Sequence, residues 1–229
     1  MRCRTQKPPL ADSYLKRAAW GQALITMLAC MATAFVISGF AYAEPAPSDF
    51  TEKEVALLKN GKPVFRPLPT SRNNGFYGGT GFAIINAPMD VIWKAIQDWA
   101  SYPKTYPNTI HVEEVSRKGN RHLIKMELGH KLLRITYFVE VEFDKTQRKI
   151  KFNLVTNRVH DIDASQGYWR FFPQKNGSTL VAYVVAVRVP MGVINLLSES
   201  VERKLEGGLL NIPTRLKRWI EGSNGTRYR

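Results

Sequence analysis

Histidines and acidic residues that stand close together in the sequence could supply metal or acid–base chemistry. The 229-residue chain has four histidines, at positions 111, 122, 130 and 160. Glu127 and His130 are three residues apart, which on a helix would bring two metal ligands onto one face. The pair falls at a predicted strand end instead. We therefore favour a structural or surface role, and we predict no metal site.

A second polar group, His160-Asp161-x-Asp163, places a histidine and two carboxylates in a predicted loop. Loops often carry catalytic groups, and side chains of these types transfer protons in enzymes. A solvated connection between strands is the favoured interpretation. The sequence also lacks a Gly-x-Ser-x-Gly nucleophile motif,. It therefore assigns no catalytic residues and favours a protein that is not an enzyme.

Three arginines lie in predicted strands, at positions 134, 170 and 188. An inward-facing arginine could bind a carboxylate or a phosphate through two parallel hydrogen bonds. Arg170 and Arg188 are the ones to test because their neighbours are apolar or aromatic, and Arg188 is included among the candidate ligand-binding residues. An outward, solvated position is the favoured interpretation for each arginine.

A set of aromatic residues could form the mouth and wall of a pocket, or could simply fill a core. They are Trp99, Tyr102, Tyr106, Tyr137, Phe152, Trp169 and Phe171. For each residue alone, both interpretations stay open. The pocket hypothesis applies to the group, because ligand pockets are largely apolar with few polar groups.

The C-terminal run Val193–Ile220 predicts the helix against which these residues must be positioned. Its large apolar side chains recur every three or four residues, which places one apolar stripe along a helix. The stripe comprises Ile194, Leu197, Val201, Leu205, Leu209, Ile212, Leu216, Trp219 and Ile220. Burying each such side chain stabilises a protein by roughly 1.5–3 kcal/mol, so the stripe requires a large apolar partner surface. Gly207-Gly208 and Pro213 should weaken or kink the helix near its middle.

Alternating apolar and polar residues predict an antiparallel sheet that supplies this surface. The clearest strand is Leu132–Phe143, in which every second residue from Leu133 to Phe143 is apolar, as expected for a sheet with one wet face. The other predicted strands are Phe82–Asn86, Ile110–Arg117, His122–Leu128, Lys149–Val155, Gly167–Phe172 and Thr179–Val189. Such a sheet cannot bury its apolar face alone, whereas a helix laid across it can.

Smaller elements precede the sheet. Thr51-Glu52-Lys53-Glu54 is a capping box that should start a short helix,. Three prolines make Val64–Pro69 an extended arm and not a central strand,. Arg72–Gly81 is polar and Gly-rich, which predicts a flexible entry into the first strand,. Its glycines lack the spacing of a nucleotide-binding loop, so no cofactor is predicted. Pro88–Trp99 predicts a helix with a proline in its first turn.

The N-terminal residues predict export. Positive residues precede an uncharged run, Ala18–Ala43, which ends in Ala41-Tyr42-Ala43 before a Pro-rich polar stretch. A positive segment, an apolar segment and an A-x-A site are typical of a signal peptide. Cleavage near Ala43 predicts a secreted, periplasmic chain without cysteine, because Cys3 and Cys30 lie before that site. The alternative is an uncleaved anchor, since the apolar run is nearly long enough to span a bilayer.

The chain is strongly basic, with a formal net charge of +14. This excess of positive charge fits an anionic membrane surface or another anionic partner, and it also fits simple solvation of the surface. Export argues against nucleic acid as the partner. No sequence feature indicates an oligomeric state.

Several segments occur in an order that resembles a known superfamily. In Asn86–Asn108, Ala87-Pro88 follows a strand, an apolar helix comes next, and Tyr102-Pro103 follows that helix. Gly167–Phe171 and a proline before the last helix add to the match. In this order the segments resemble the START-like (SRPBCC) superfamily, in its polyketide cyclase and coenzyme-Q-binding branch. The resemblance implies a cavity between a curved sheet and the last helix that holds a lipid, quinone or polyketide-like molecule. It leaves catalysis open, because that superfamily includes carriers and enzymes.

The sequence thus predicts an α+β helix-grip fold, in which a curved antiparallel sheet of about six to seven strands wraps around a long C-terminal helix. The predicted boundaries are residues 1–43 for the signal peptide, 44–75 for an N-terminal helix and arm, 76–221 for the START-like domain and 222–229 for a basic tail.

The predicted partner is a hydrophobic small molecule or lipid held in the cavity. The residues predicted to contact it are Trp99, Tyr102, Tyr106, Met126, Leu133, Ile135, Tyr137, Val139, Phe152, Leu154, Trp169, Phe171, Arg188, Leu197, Val201, Leu205 and Leu209. The alternatives are a cyclase- or aromatase-like enzyme and a ligand-free interaction module. A carrier predicts a cavity almost free of titratable groups, an enzyme predicts polar side chains that converge on the cavity floor, and an interaction module predicts no cavity larger than a water molecule.

Overall fold

A computed structural model of the chain describes residues 46–68, 75–130, 133–190 and 199–229. The predicted signal peptide and the first residues of the predicted C-terminal helix lie outside these ranges. Within them, eight strands form one sheet, accompanied by five α-helices and three short 3-10 helices. This is the α+β helix-grip class that the sequence predicts, with a slightly larger sheet.

The sheet is open and entirely antiparallel. Its strands are β1 (Val64–Pro67), β2 (Phe76–Ile85), β3 (Thr109–Lys118), β4 (Arg121–His130), β5 (Leu133–Asp144), β6 (Lys149–Leu154), β7 (Ala164–Pro173) and β8 (Thr179–Arg188). They follow the order β1-β2-β8-β7-β6-β5-β4-β3, so β1 and β3 form the two edges. The additional strand is β1, the segment predicted as an extended arm. Its edge position fits a proline-flanked segment, because proline cannot donate to a ladder of hydrogen bonds.

The helices are α1 (Glu52–Lys59), α2 (Met89–Gln97), α3 (Tyr102–Thr105), α4 (Glu199–Leu210) and α5 (Ile212–Glu221). The predicted capping box starts α1, since the Thr51 hydroxyl accepts from the Glu54 amide and the Glu54 carboxylate accepts from the Thr51 amide. Helix α2 buries the apolar side chains of its inner face in the main core. None of the helices in the described part of the chain is long and apolar enough to cross a membrane.

The predicted single C-terminal helix is two helices. The helix is interrupted at Asn211, and Pro213 lies in the first turn of α5. Proline has no amide hydrogen and its ring clashes with the carbonyl four residues earlier, so a continuous helix through this point is disfavoured. Gly207 and Gly208 stay inside α4. The proline, and not the glycine pair, marks the break.

Strand β2 begins at Phe76, six residues before the predicted start, and the glycine-rich segment forms part of it. These glycines allow close approach of neighbouring backbone. A Cβ on Gly78 would lie 2.0 Å from the Val185 carbonyl oxygen, and a Cβ on Gly81 would lie 2.2 Å from the Leu210 carbonyl oxygen. The prediction of a flexible entry was wrong because the glycines serve packing here and not flexibility.

Candidate functional site

A cavity lies between the apolar face of the sheet and the C-terminal helices. Strands β3 to β8 supply one wall, and Leu209 of α4 and Ile212 of α5 belong to the opposite wall. The cavity offers about 80 Å³ to the centres of water molecules and about 720 Å³ of empty space when its open mouth is counted. A single buried water molecule needs roughly 10–15 Å³ by the first of these measures, so the cavity is several times larger than a water site.

The register of the sheet brings side chains from separate strands into facing positions around the cavity. Tyr137 pairs with Met126 across β5 and β4, and Trp169 pairs with Tyr183 across β7 and β8. The lining residues are Ile96, Trp99, Tyr102, Tyr106, Pro107, Thr109, Ile124, Met126, Leu128, Tyr137, Val139, Val141, Ile150, Phe152, Ser165, Trp169, Tyr183, Val185, Val187, Leu209 and Ile212. The wall is therefore largely apolar and aromatic.

A glycine makes room for one of these aromatic rings. Phe152 lies opposite Gly167 in the β6–β7 pair. A Cβ on Gly167 would lie 2.5 Å from the Phe152 Cζ and 2.1 Å from the Val184 carbonyl oxygen. Any larger residue would push the phenylalanine ring away from β7 and toward the cavity.

Four tyrosines lie around the cavity, and all are neutral at physiological pH. The rings of Tyr102 and Tyr106 stack with their centroids 4.2 Å apart, and the Tyr102 hydroxyl donates to the Ile96 carbonyl at 2.8 Å. Burial raises the pKa of Tyr106 to about 12, although hydrogen bonds with Tyr102 and Trp169 oppose the shift. Burial likewise raises the pKa of Tyr137 and of Tyr183, and neighbouring phenols add to both shifts. The pKa of Tyr102 is raised for the same reason.

Two aliphatic hydroxyl groups join the tyrosines. Thr109 and Ser165 line the cavity, and both side chains are buried. The Thr109 Oγ1 atom has no hydrogen-bond partner among the described residues. A buried hydroxyl without a partner costs roughly 1–3 kcal/mol. A molecule in the cavity that bonded this hydroxyl would recover part of that cost.

One carboxylate lies close behind the wall, but its charge is already paired. The Trp99 indole N–H donates to Glu114 at 2.8 Å, and the Arg117 guanidinium donates to the same carboxylate at 2.8 Å. The hydrogen bond from Arg117 holds the pKa of Glu114 at about 2, with a contribution from Trp99 and against the opposing effect of burial. Glu114 therefore fixes the Trp99 ring in the wall and is fully ionised.

The sequence matches a family of proteins through this same region. A model of the family described as polyketide cyclase / dehydrase and lipid transport matches residues 85–212, more than half of the chain. The chain belongs to this family. No curated protein sequence matches it.

Solved structures share the fold. The protein TTHA0849 of Thermus thermophilus is 18% identical with a TM-score of 0.52, and the match covers 61% of this chain and 93% of that one. A STAR-related lipid transfer protein fragment of Xanthomonas axonopodis is 10% identical with a TM-score of 0.52, covering 69% and 99%. The Zhui aromatase/cyclase of a Streptomyces species is 17% identical with a TM-score of 0.48, covering 62% and 93%. At such identities, the two matches with a TM-score of 0.52 show a shared fold alone.

The cavity between the sheet and the C-terminal helices contains nine of the seventeen residues predicted to contact a ligand. They are Trp99, Tyr102, Tyr106, Met126, Tyr137, Val139, Phe152, Trp169 and Leu209. Ile135 lies two residues before the lining residue Tyr137 near the start of β5, and Leu154 lies two residues after the lining residue Phe152 at the end of β6. Neither of them lines the cavity. The side chains of Leu133, Leu197 and Val201 lie outside the described part of the structure. That any of these residues binds a ligand stays a prediction.

Three predicted contact residues have other positions. Arg188 faces solvent at the end of β8, where its guanidinium lies 3.8 Å from the Asp163 carboxylate, because strand alternation directs it away from the lining residue Val187. Phe171 is fully buried against Trp93 in the core, beyond the cavity. Leu205 does not line the cavity and packs beside Tyr77 and Val189, in a small cluster that also includes the lining residues Val187 and Leu209.

The polar groups considered for catalysis do not reach the cavity. His160 and Asp161 are exposed in the loop before β7. The His160 Nδ1 atom lies 2.8 Å from the Ile162 carbonyl oxygen, and the Asp161 carboxylate accepts from the Thr136 amide. Glu127 pairs with Lys125 on β4. Among the described residues no group of three or more histidine, cysteine, aspartate or glutamate side chains could hold a metal ion.

The sequence analysis missed several lining residues, of which Tyr183, Thr109 and Ser165 carry polar groups. Tyr183 lies in the run TLVAYVVAVR, which is buried on both faces along most of its length, so alternation gives no inner face. Thr109 and Ser165 stand near strand starts, where a hydroxyl residue ordinarily indicates a turn. A signal was available for Tyr183 alone, as an aromatic residue within a predicted strand.

Proposed function

We propose that this protein binds a hydrophobic small molecule in the cavity between its sheet and its C-terminal helices. The observation that carries the proposal is the cavity itself, which exceeds the size of a water molecule and is walled mainly by apolar and aromatic side chains. Apolar ligand surface removed from water contributes about 25 cal/mol per Å², which gives such a pocket useful affinity without charged contacts. Membership of a family described in part by lipid transport supports the same function.

Binding without reaction fits the lining better than catalysis does. Among the described residues, none of those that line the cavity is a histidine, lysine, arginine, aspartate or glutamate. The tyrosines are held neutral by burial, so they offer hydrogen bonds and not general-base chemistry near neutral pH. His160 and Asp161, the pair that the enzyme hypothesis would test first, lie at the surface. The ligand-free interaction module requires a filled core, and the core is not filled.

Export is part of the proposal. The positive segment, the apolar run and the Ala41-Tyr42-Ala43 site support removal of residues 1–43 and a periplasmic location,. Such a location would suit a protein that shields an apolar molecule from water between membranes. The basic surface would then attract it to anionic lipid.

Native mass spectrometry of the full-length gene product, expressed with its N-terminal segment intact in a Gram-negative host, tests both parts. The expected spectrum from the periplasmic extract shows a chain that begins at Glu44 and carries an additional noncovalent mass. A full-length chain found in the membrane fraction would contradict export. A ligand-free chain, whose thermal stability does not change with added lipid, would contradict binding.

A pair of variants on α4 locates the ligand. Leu209 lines the cavity, whereas Leu205, one turn earlier, does not. Both side chains also pack against the Tyr77–Val189 cluster. Leu209→Trp should fill the cavity and raise the Kd of the ligand by at least about tenfold, which is about 1.4 kcal/mol of lost affinity. Leu205→Trp adds the same bulk outside the cavity and should retain the ligand. Equal occupancy in the two variants would place the ligand elsewhere.

A further inference from the structure

In the described part of the cavity wall, the polar side chains are hydroxyl residues and the tryptophans Trp99 and Trp169, and none of them is a cation. Thr109, Ser165 and four tyrosines supply the hydroxyls. Among the described residues, no lysine or arginine side chain lines the cavity. The arginine that could have bound an acidic head group, Arg188, faces solvent beside Asp163.

The charged groups nearest the wall, Glu114 and Arg117, are already paired with each other. Arg117 donates two hydrogen bonds to Glu114, one from Nε and one from its terminal nitrogen. The same carboxylate also accepts a hydrogen bond from the indole N–H of Trp99, which lies in the wall. A negatively charged ligand would therefore meet an ionised carboxylate behind Trp99 and, among the described lining residues, no cation in front of it.

Desolvation decides which ligands such a wall accepts. A carboxylate or phosphate that leaves water without a cationic partner loses several kcal/mol of solvation, which apolar contacts cannot restore. A neutral oxygen, such as a ketone or a hydroxyl, loses far less and can regain it from one hydrogen bond. The Thr109 hydroxyl is buried and lacks a partner among the described residues, so it can form that bond without breaking another.

We propose that the ligand is a neutral molecule, apolar over most of its surface, whose ketone or hydroxyl oxygen hydrogen-bonds to the hydroxyl groups of the cavity wall, with Thr109 as the principal contact. This inference rests on the proposed function and narrows it. Anionic fatty acids and phospholipid head groups are excluded from the cavity interior. An anionic membrane would interact only with the outer basic surface.

Four bicyclic probes of one size separate these possibilities. Naphthalene has no polar group, 2-acetonaphthone carries a ketone, 2-naphthol carries a hydroxyl, and 2-naphthoate is an anion at neutral pH. Isothermal titration calorimetry with the full-length gene product as purified should show the ketone and the naphthol binding at least about tenfold more tightly than the naphthoate. Naphthalene should bind with intermediate affinity.

Two variants test the hydroxyl contacts. Thr109→Val keeps the shape and removes the hydroxyl, and Tyr137→Phe removes a phenol oxygen. Each should weaken binding of 2-acetonaphthone by roughly three- to tenfold and leave naphthalene binding unchanged, which also shows that the cavity is intact. Tyr168→Phe is the matched control, because Tyr168 follows Gly167 on β7, does not line the cavity and has Lys149 4.2 Å above its ring.

The outcomes distinguish this inference from the proposed function. If 2-naphthoate binds as tightly as the neutral probes, the inference is wrong and the proposed function stands. If both hydroxyl variants bind all four probes as the wild type does, the hydrogen-bond assignment is wrong. If no probe binds and no molecule co-purifies, the proposed function itself fails.

Discussion

At the scale of single residues, His122 shows how the core beside the cavity constrains protonation. The ring is buried on β4, 4.7 Å from the Phe143 ring and 6.1 Å from the Trp99 ring. Burial lowers the pKa of His122, and Arg117 lowers it further, while Glu114 opposes both effects. The Glu114 carboxylate approaches Nδ1 to 3.4 Å, but the geometry does not make a hydrogen bond. The native imidazole is therefore neutral near pH 7.

This environment predicts a loss of stability in mild acid. An unfolded histidine binds its proton at about pH 6.5, whereas folded His122 binds it at lower pH. The unfolded state thus carries more protons over that interval, and the free energy of unfolding falls as pH falls below about 6.5. His122→Gln should flatten this dependence between about pH 7 and pH 5, measured by urea unfolding followed by circular dichroism. His111→Gln, at an exposed position on β3, is the control and should keep the wild-type slope. Identical slopes in all three proteins would refute the assignment.

Residue-level prediction from the sequence worked where alternation was regular. In β5 polar residues mark the outer face, so Tyr137 and Val139 were predicted at the inner face and line the cavity. Arg188 was included as a candidate contact because its strand neighbours are apolar, although an outward position was the favoured interpretation. Its exposed side chain beside Asp163 agrees with that interpretation. Thr109 could not be found from the sequence, since its importance depends on an unpaired hydroxyl that only the folded structure reveals.

At the scale of secondary-structure elements, the contact between β2 and the C-terminal helices defines one side of the cavity. The backbone of Leu210 approaches β2 so closely that a Cβ at Gly81 would lie 2.2 Å from its carbonyl oxygen. Leu209 and Ile212, on either side of this contact, line the cavity. The position of these two side chains therefore depends on a glycine in a strand.

A pair of glycine variants tests this dependence. Gly81→Ala should destabilise the protein by about 1–3 kcal/mol, the usual cost of inserting bulk into a packed interior, and should weaken ligand binding by displacing the helices. Gly207→Ala is the control. A Cβ there meets nothing within 4 Å, and the exposed position inside α4 should gain up to about 1 kcal/mol from helix propensity. Urea unfolding measures both changes. Wild-type stability in Gly81→Ala would show that the close approach is not required.

Elements were predictable to the extent that local pattern determined them. The capping box of α1 and the strands from β3 to β8 depend on spacing that the sequence displays. The first part of β2 was missed because glycine ordinarily indicates a turn, while here Gly78 and Gly81 permit contacts with β8 and α4 that are distant in sequence. The same limit applies to β1, whose pairing with β2 is a tertiary contact.

At the scale of the whole molecule, the tyrosine side chains around the cavity link folding to alkaline pH. Tyr102 and Tyr183 are buried in the main core, and Tyr106 and Tyr137 pack against it. Burial raises the pKa of each phenol above the ordinary value. Ionising any of them in the folded state would place a phenolate in an apolar wall. The folded state is therefore most stable while these phenols are neutral.

The raised pKa values of these tyrosines predict that the free energy of unfolding falls as pH rises above about 10. Unfolded tyrosines ionise at about pH 10, whereas the pKa of folded Tyr106 is about 12 and those of its neighbours are also raised. Their contribution to stability is complete below about pH 10 and is lost as pH rises toward the folded values. The four tyrosines of the cavity wall should therefore contribute little to the absorbance at 295 nm near pH 10. A later, cooperative increase should coincide with loss of the circular dichroism signal.

Concentrated guanidinium chloride supplies the reference for this titration, because the seven tyrosines that follow the proposed cleavage site should then ionise together at about pH 10. Tyr183→Phe should remove one equivalent from the late phase and shift the alkaline transition to higher pH, since fewer phenols then favour the unfolded state. A folded protein whose tyrosines all ionise reversibly near pH 10 would mean that water reaches the cavity wall freely. The shielding on which binding of an apolar ligand depends would then be absent.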